Sequence, residues 1–140
     1  MRKFQSGLII ALFAVAFGCV ACGDSPEFAN YELQGIVTDN NSLPIKDIRV
    51  VREATDFLLF SDTTYTDANG KYDFYFTDYY DSKATFKLKI EDVDVALNGG
   101  EFATQNLKVS YSNASWSFTK ATTEPAALGR KTYDIKLQLK

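Results

Sequence analysis

The chain has 140 residues, with 15 basic and 18 acidic side chains and no histidine. The absence of histidine removes the most common general base, the usual catalytic triads and the most frequent ligand of transition metals. The acidic balance offers no basic patch for phosphate groups, so the sequence predicts no nucleic-acid partner.

The first 22 residues have the pattern of a secretory signal. Two basic residues follow the initial methionine, an apolar stretch runs from Leu8 to Phe17, and small residues stand before Cys19 and Cys22. The apolar stretch is too short to cross a bilayer of ~30 Å as a helix. A cysteine directly after the small residue that ends such a region is where bacterial lipoproteins are cleaved and acylated. We therefore expect a palmitate-carrying lipoprotein of the cell envelope, held on a bacterial membrane, in particular the outer membrane, by its N-terminal lipid.

Two cysteines compete for this lipid. Cys19 follows Val15-Ala16-Phe17-Gly18, which fits the apolar-apolar-small pattern that the lipoprotein signal peptidase accepts. Cys22 follows an alanine, and the acidic residues behind it, Asp24 and Glu27, resemble surface-export signals in lipoproteins of the Bacteroides group. Cys19 is the preferred anchor and Cys22 is the alternative.

The expected division of the chain follows from the anchor. Residues 1–18 form the signal peptide (to 21 if Cys22 is the anchor), residues 19–30 a tether, and residues 31–140 one β-sandwich domain. Removal of the signal leaves 13 basic against 18 acidic residues, a net charge of −5. The remaining chain of roughly 120 residues is the size of one compact domain.

After Asn30 the chain is predicted to be β almost throughout, because apolar and polar residues alternate in short segments that turn residues separate. Seven strands are expected, near residues 31–38, 45–50, 57–66, 72–76, 86–91, 105–111 and 131–140. Asn69-Gly70 predicts a tight hairpin between the third and fourth of these strands, since this pair supplies positive φ angles. Trp116 and Phe118 either form another short strand or close one end of the core.

Strands of this length with one apolar face each predict an all-β fold, a seven-stranded antiparallel β-sandwich of the prealbumin or immunoglobulin type. Ten inward-facing residues form the predicted core: Leu33, Val37, Ile48, Val50, Phe74, Phe76, Leu88, Ile90, Ile135 and Leu137.

Three motifs in residues 31–77 carry a resemblance to a known family. They are Gly35-x-Val37-x-Asp39, Leu43-Pro44-Ile45-x-Asp47-Ile48-x-Val50 and Thr66-Asp67-x-Asn69-Gly70-x-Tyr72-x-Phe74. In this order they resemble the carboxypeptidase regulatory-like, transthyretin-like β-sandwich domain. The resemblance implies that these residues define the fold, with Gly35 allowing a close approach of strands, and it implies no peptidase activity for this chain.

A narrower resemblance covers nearly the whole chain. Its residues are Ser25-Pro26-x-x-Ala29-x-Tyr31-x-Leu33-x-Gly35, Asp92-Val93-Asp94, Asn98-Gly99-Gly100-x-Phe102, Ser115-Trp116 and the lysine-ended last strand. They are similar to small lipoproteins of the Bacteroides group that are encoded beside radical S-adenosylmethionine (SAM) enzymes. The chain departs from that pattern at Val95 and Ala96, where a glycine is usual. The resemblance implies a co-encoded modifying enzyme and no activity for the lipoprotein itself.

Residues 91–101 are the one acidic segment with the character of a site. Asp92, Asp94, Asn98 and Glu101 supply hard oxygen atoms of the kind that calcium prefers. The spacing fails the EF-hand pattern, however, because Ala96 and Leu97 stand where a ligand and the sharp-turn glycine belong. A solvated strand end followed by a Gly-Gly turn is therefore favoured over a calcium site, and no catalytic residue or cofactor is predicted.

The run from Tyr72 to Tyr80 is dense in aromatic side chains. Such a run can stack against sugar rings, but alternate members facing the core explain it better. The sequence therefore favours a non-enzymatic structural or interaction module of the cell envelope, tied to the co-encoded enzyme, with an unknown envelope protein or glycan as partner. The alternatives are a carbohydrate- or calcium-binding surface module and a substrate that the radical SAM enzyme modifies.

Overall fold

A computed structural model describes residues 26–54, 61–95, 97–120 and 125–140. Within these residues the chain forms nine β-strands and one turn of 3-10 helix at Asn113–Ser115. The strands are β1 (Phe28–Thr38), β2 (Ile48–Arg52), β3 (Asp62–Tyr65), β4 (Lys71–Tyr79), β5 (Thr85–Asp92), β6 (Gln105–Ser110), β7 (Trp116–Lys120), β8 (Pro125–Thr132) and β9 (Ile135–Lys136). The expected signal peptide, both cysteines and the start of the expected third strand lie outside the described residues.

The strands form two sheets that enclose one apolar interior. The first sheet has the order β4-β1-β8-β7, with β9 pairing β1 beyond the end of β8, and the second has the order β3-β2-β5-β6. The predicted all-β sandwich is confirmed, and the residues that the structure describes form nine strands rather than seven. β1 is antiparallel to β4, as expected, but it runs parallel to β8 and β9.

The additional strands come from the C-terminal part of the chain, where alternation is weakest. Trp116 and Phe118 lie in β7, which pairs with β8 in antiparallel register. The expected last strand, 131–140, is split between the end of β8 and the short β9. The break lies at Asp134, whose Oδ1 accepts the backbone N–H of Ile36 at 2.9 Å in place of a backbone carbonyl. A side chain thus interrupts the ladder that alternation alone predicts as continuous.

Gly35 explains how the two C-terminal strands approach β1. A Cβ atom at this position would lie 2.0 Å from the carbonyl oxygen of Tyr133 and 2.8 Å from the ring of Tyr72. The backbone of Tyr133 donates to Gln34 O at 2.8 Å, and the hydroxyl of Tyr72 donates to Tyr133 O at 2.6 Å. Only glycine permits this close packing, as the sequence predicts.

The turn at Asn69-Gly70 is present, but the hairpin predicted for it is wrong. Asp67 Oδ1 accepts the N–H groups of Asn69 and Lys71 at 2.8 and 2.9 Å, and Gly70 has a φ of +70°. The strands on either side belong to different sheets, since β3 pairs with β2 and β4 pairs with β1. The Gly70 carbonyl accepts the Val37 N–H at 2.8 Å, which draws the chain across to the first sheet.

The interior contains two clusters of buried side chains. The aliphatic cluster joins both sheets and consists of Leu33, Val37, Ile45, Ile48, Val50, Tyr72, Phe74, Leu88, Ile90, Phe102, Val109, Ile135 and Leu137. The aromatic cluster lies toward the end where β1 begins and consists of Ala29, Tyr31, Ala84, Phe86, Tyr111 and Ala127, with Phe76, Tyr80 and Trp116 packed against it. Nine of the ten predicted core residues are buried, and Phe76, the tenth, is half-buried and contacts both clusters.

Candidate functional site

The acidic segment after β5 is a loop whose carboxylates bind its own backbone. Asp92 Oδ2 accepts the N–H of Phe102 at 3.0 Å, and Asp92 Oδ1 accepts those of Asp94 and Val95 at 3.4 and 3.3 Å. Asn98 donates its amide to Asp94 Oδ2 at 3.2 Å and to Lys46 O at 2.8 Å. Three of the four expected ligands are thus brought together, and their oxygen atoms shape the loop.

The two aspartates of this loop have opposite pKa shifts. Burial disfavours the charge of Asp92, but the hydrogen bonds from Phe102 and the loop outweigh burial and lower its pKa. Burial, a hydrogen bond shared with Asp92 and the charge of Asp92 all raise the pKa of Asp94. Asp94 Oδ1 is buried and receives no hydrogen bond from the described residues.

Glu101, the fourth expected ligand, turns away from this pair and forms an ion pair with Lys140. Within the described ranges, no group of three or more histidine, cysteine, aspartate or glutamate residues lies together in a way that holds a metal ion. The calcium assignment for Asp92, Asp94, Asn98 and Glu101 stays a prediction of the sequence.

The aromatic run of β4 divides between the interior and the solvent. Tyr72 and Phe74 are buried, whereas Tyr75 and Tyr79 face outward with 62% and 56% of their surface exposed. Tyr80 packs edge-on against Trp116 at 4.8 Å between ring centroids. Alternation therefore accounts for the run, in agreement with the structural explanation that the sequence favours.

Arg52, at the end of β2, is a buried cation that the sequence analysis missed. It continues the inward face formed by Ile48 and Val50, and only 5% of its surface is exposed. Its guanidinium lies 4.0 Å above the ring centroid of Phe76. Its Nε and Nη1 atoms are buried and find no acceptor in the part of the chain that the structure describes. A buried charge without hydrogen-bonded partners lowers the stability of the fold, so Arg52 is a candidate functional residue.

The charges around Arg52 are distant carboxylates. Burial lowers the pKa of Arg52, while the negative charges of Asp62 and Asp78 oppose that shift. Neither carboxylate forms an ion pair with it among the described residues: Asp62 Oδ1 accepts the N–H of Thr63 and Asp78 Oδ1 accepts that of Tyr79. The site thus presents unsatisfied N–H donors of one cation beside an aromatic ring.

Arg49, a neighbouring arginine on β2, differs from Arg52 because it has a carboxylate partner. Arg49 lies on the outward side of the same strand and donates from Nε and Nη2 to Glu91 at 3.0 and 2.5 Å. The sequence signal for Arg52 was available in the pattern Ile48-x-Val50-x-Arg52, because an arginine at an inward position of an alternating strand is unusual.

Comparisons with known proteins identify relatives by fold. No protein-family model matches the chain, and no curated protein matches it. The 3-chlorocatechol 1,2-dioxygenase of Rhodococcus opacus 1CP matches with a TM-score of 0.53 and 12% identity over 80% of this chain and 61% of that one. The catechol 1,2-dioxygenase of Pseudomonas arvilla C-1 matches with a TM-score of 0.52 and 14% identity over 84% of this chain and 54% of that one. The catechol 1,2-dioxygenase of Acinetobacter sp. ADP1 matches with a TM-score of 0.52 and 12% identity over 84% of this chain and 55% of that one.

These matches show the fold and correct the expected function. The chain spans about three fifths or less of the dioxygenases' length, at an identity of 12–14%. The expected non-enzymatic structural or interaction module of the cell envelope is contradicted by these neighbours, which are catechol dioxygenases. At this identity the likeness shows the fold alone, and one fold carries many different sites. In the described part of the chain, no helix has the length and apolar character needed to cross a bilayer.

Proposed function

We propose that this chain is a binding protein for a small organic carboxylate, which it holds on Arg52, and that a lipid on Cys19 or Cys22 attaches it to a bacterial membrane. The observation that carries the binding proposal is the buried guanidinium whose Nε and Nη1 have no acceptor among the described residues. An arginine has five N–H donors and stays charged at every physiological pH, so a bound anion is the natural partner for the unused donors.

The surroundings of Arg52 favour a singly charged ligand with an apolar body. One guanidinium balances one carboxylate, whereas a phosphate with two charges would also face the negative fields of Asp62 and Asp78. Phe76 covers one face of the guanidinium, so the ligand meets its edge. Charge-assisted hydrogen bonds of this kind are about twice as strong as neutral ones.

The membrane attachment is supported by the signal pattern that precedes the two cysteines and by the resemblance to lipoproteins encoded beside radical SAM enzymes. Intact mass of the protein recovered from a bacterial membrane fraction tests it. Acylation of Cys19, or of Cys22, is the expected result. A mature chain of unmodified mass, or one that stays in the membrane fraction after Cys19→Ser and Cys22→Ser, contradicts the anchor.

Thermal unfolding of the purified full chain tests the binding site. Acetate and benzoate should raise the unfolding temperature in a concentration-dependent way, whereas chloride at equal ionic strength should not. Arg52→Met should abolish this effect, and Arg49→Met, the control on the same strand with a paired guanidinium, should retain it.

The stability of Arg52→Met without ligand separates a binding role from a structural one. If the donors of Arg52 lack partners, an apolar side chain of similar length should leave the protein as stable as the wild type or more stable. If Arg52 is instead an internal ion-pair partner, its loss should cost about 3–5 kcal/mol. That loss, or equal stabilisation of wild type and Arg52→Met by benzoate, contradicts the proposal.

A further inference from the structure

The end of the sandwich at which β1 begins carries exposed aromatic side chains. Phe28 and Tyr79 stack on each other with ring centroids 4.9 Å apart, and 49% and 56% of their surfaces are exposed. Phe118 is 57% exposed and contacts Tyr80 at 5.9 Å between centroids. We call these four residues the aromatic base.

All four residues lie within two positions of one another along the strand direction. Phe28 pairs with Tyr79 across β1 and β4, and Phe118 pairs with Ala127, which pairs in turn with Ala29. The backbone N–H of Tyr80 donates to Glu27 O at 2.9 Å, and the hydroxyl of Tyr31 donates to Tyr79 O at 2.7 Å. The base is therefore held by the fold and lies where the chain enters it.

The covalent chain limits how far this end can move from the proposed anchor. Phe28 lies nine positions after Cys19 and six positions after Cys22. At ~3.3–3.6 Å per residue, the base lies within about 30 Å of a lipid on Cys19 and about 20 Å of one on Cys22. A tether of this length also keeps the local concentration of membrane high, so a weak contact is enough to orient the domain.

We propose that the aromatic base rests in the headgroup region of the membrane that the N-terminal lipid enters, so that the sandwich stands upright on the bilayer. This inference rests on the proposed lipid anchor. Aromatic rings, tyrosine among them, favour the membrane–water interface, where one side of the ring meets apolar chains and the hydroxyl meets water.

The charges at the base determine the kind of lipid. Among the residues whose burial the structure describes, Glu27 and Asp81 are exposed, Asp78 is half-buried, and Lys83 is an exposed cation near them. This acidic balance opposes anionic lipids and does not oppose zwitterionic ones, in contrast to basic surfaces that bind by charge. Vesicles of phosphatidylethanolamine and phosphatidylcholine are therefore the appropriate probe.

Three positions along strand β4 can report how deeply each part of the domain lies in the bilayer. Its residues Tyr79, Tyr75 and Lys71 face outward and are exposed on one face of the sheet. Eight steps of about 3.3 Å place Lys71 about 26 Å from Tyr79 along the strand. In the acylated full chain, the anchor cysteine is blocked by its lipid. A spin label on Tyr79→Cys, Tyr75→Cys or Lys71→Cys then reports depth through its collisions with lipid-soluble oxygen and with a water-soluble nickel chelate. For a Cys19 anchor, Cys22 is first replaced by serine.

The expected result is a gradient along β4. The ratio of oxygen to nickel collisions should be highest at position 79, lower at 75 and equal to that of a water-exposed label at 71. Phe28→Ser with Phe118→Ser should remove the gradient, whereas Leu43→Ser, an exposed apolar residue near the opposite end, should retain it. Equal ratios at the three positions in an acylated protein overturn the inference and leave the anchor in place.

Intact mass separates the two proposals. If the protein carries no lipid, the anchor fails, and sedimentation of the unacylated chain with the same vesicles tests the base alone. Binding that Phe28→Ser with Phe118→Ser weakens then supports the base, and no binding overturns it.

Discussion

The two clusters in the interior are stabilised in different ways. The aliphatic cluster is made mostly of Leu, Ile and Val from alternating strands, and burial of apolar surface is enough to explain it. The aromatic cluster centres on Tyr31, which stacks on Phe76 at 5.1 Å and meets Phe86, Tyr111 and Trp116 edge-on at 5.2–5.4 Å. Its polar atoms must also find backbone acceptors, so this cluster depends on orientation as well as on volume.

The acceptors for the aromatic cluster come from distant parts of the chain. The Tyr111 hydroxyl donates to Glu32 O at 2.8 Å, and Trp116 Nε1 donates to Ser82 O at 3.1 Å. Each bond joins segments that are far apart in sequence, so the cluster forms only when both sheets are in place. Alternation within one strand therefore does not predict it.

The largest expected effect compares one glycine from each region. Gly35→Ala places a Cβ 2.0 Å from the Tyr133 carbonyl oxygen, and this backbone atom cannot move without separating β1 from its parallel neighbours. Gly129→Ala places a Cβ 2.8 Å from the Trp116 ring, which can shift. We expect Gly35→Ala to abolish cooperative thermal unfolding and Gly129→Ala to cost about 1–3 kcal/mol. Similar losses in the two variants would contradict the close packing at Gly35.

A smaller effect is expected from shortening a side chain of the aliphatic cluster. Leu88→Ala should lower the free energy of unfolding by ~2–5 kcal/mol, because it removes a fully buried side chain and leaves a cavity. Urea-induced unfolding measures this loss.

Substitutions between large apolar side chains sharpen the difference between the clusters. Leu88→Met should cost less than about 1.5 kcal/mol, since an aliphatic core tolerates a change of shape. Phe86→Leu, two residues away on β5, loses edge-on contacts with Tyr31, Phe76 and Tyr111 and should cost more. Equal costs would show that orientation matters no more in one cluster than in the other.

The difference between the two clusters also explains how much of the fold could be predicted from the sequence. Alternation in β1, β4 and β5 correctly predicted the aliphatic residues, and the Gly35 motif correctly predicted a close approach of strands. The parallel pairing of β1 with β8 was not predictable, because no local pattern in residues 125–132 indicates which strand they pair with.

The candidate site was harder to predict than the fold. The carboxylates of the acidic loop predict metal ligands, yet three of its side chains bind the loop itself. Arg52 was overlooked because a single arginine in a strand usually faces solvent, and its burial depends on Phe76 from the other sheet.

A smaller loss of stability than that of Leu88→Ala is expected when a buried hydroxyl group is removed. Tyr111→Phe keeps the ring but leaves the Glu32 carbonyl without its donor, which should cost about 1–3 kcal/mol. Urea unfolding at neutral pH measures the loss. Tyr65→Phe, whose side chain is 53% exposed, is the control and should change little.

Alkaline pH probes the same hydroxyls without mutation. Burial raises the pKa of Tyr31 from 10.0 to about 12, and it also raises those of Tyr72 and Tyr111. Between the unfolded and folded values the unfolded chain has lost protons that the folded chain keeps, so stability is full below about pH 10 and falls as the pH rises toward about 12. Urea unfolding across this range should show the decline, and Tyr31→Phe should make it shallower. A flat profile would contradict the burial of these hydroxyls.

The position of β1 in its sheet has a consequence for the order of events during synthesis. β1 leaves the ribosome first among the strands, yet its parallel partners lie about 100 residues later, with Ala29 opposite Ala127 and Val37 opposite Ile135. One side of β1 stays unpaired until residues 127–136 have been made, which is a long delay for a nascent chain. For a protein exported as we propose, that delay keeps the nascent polypeptide open for translocation and postpones closure of the first sheet until β8 and β9 have crossed the membrane.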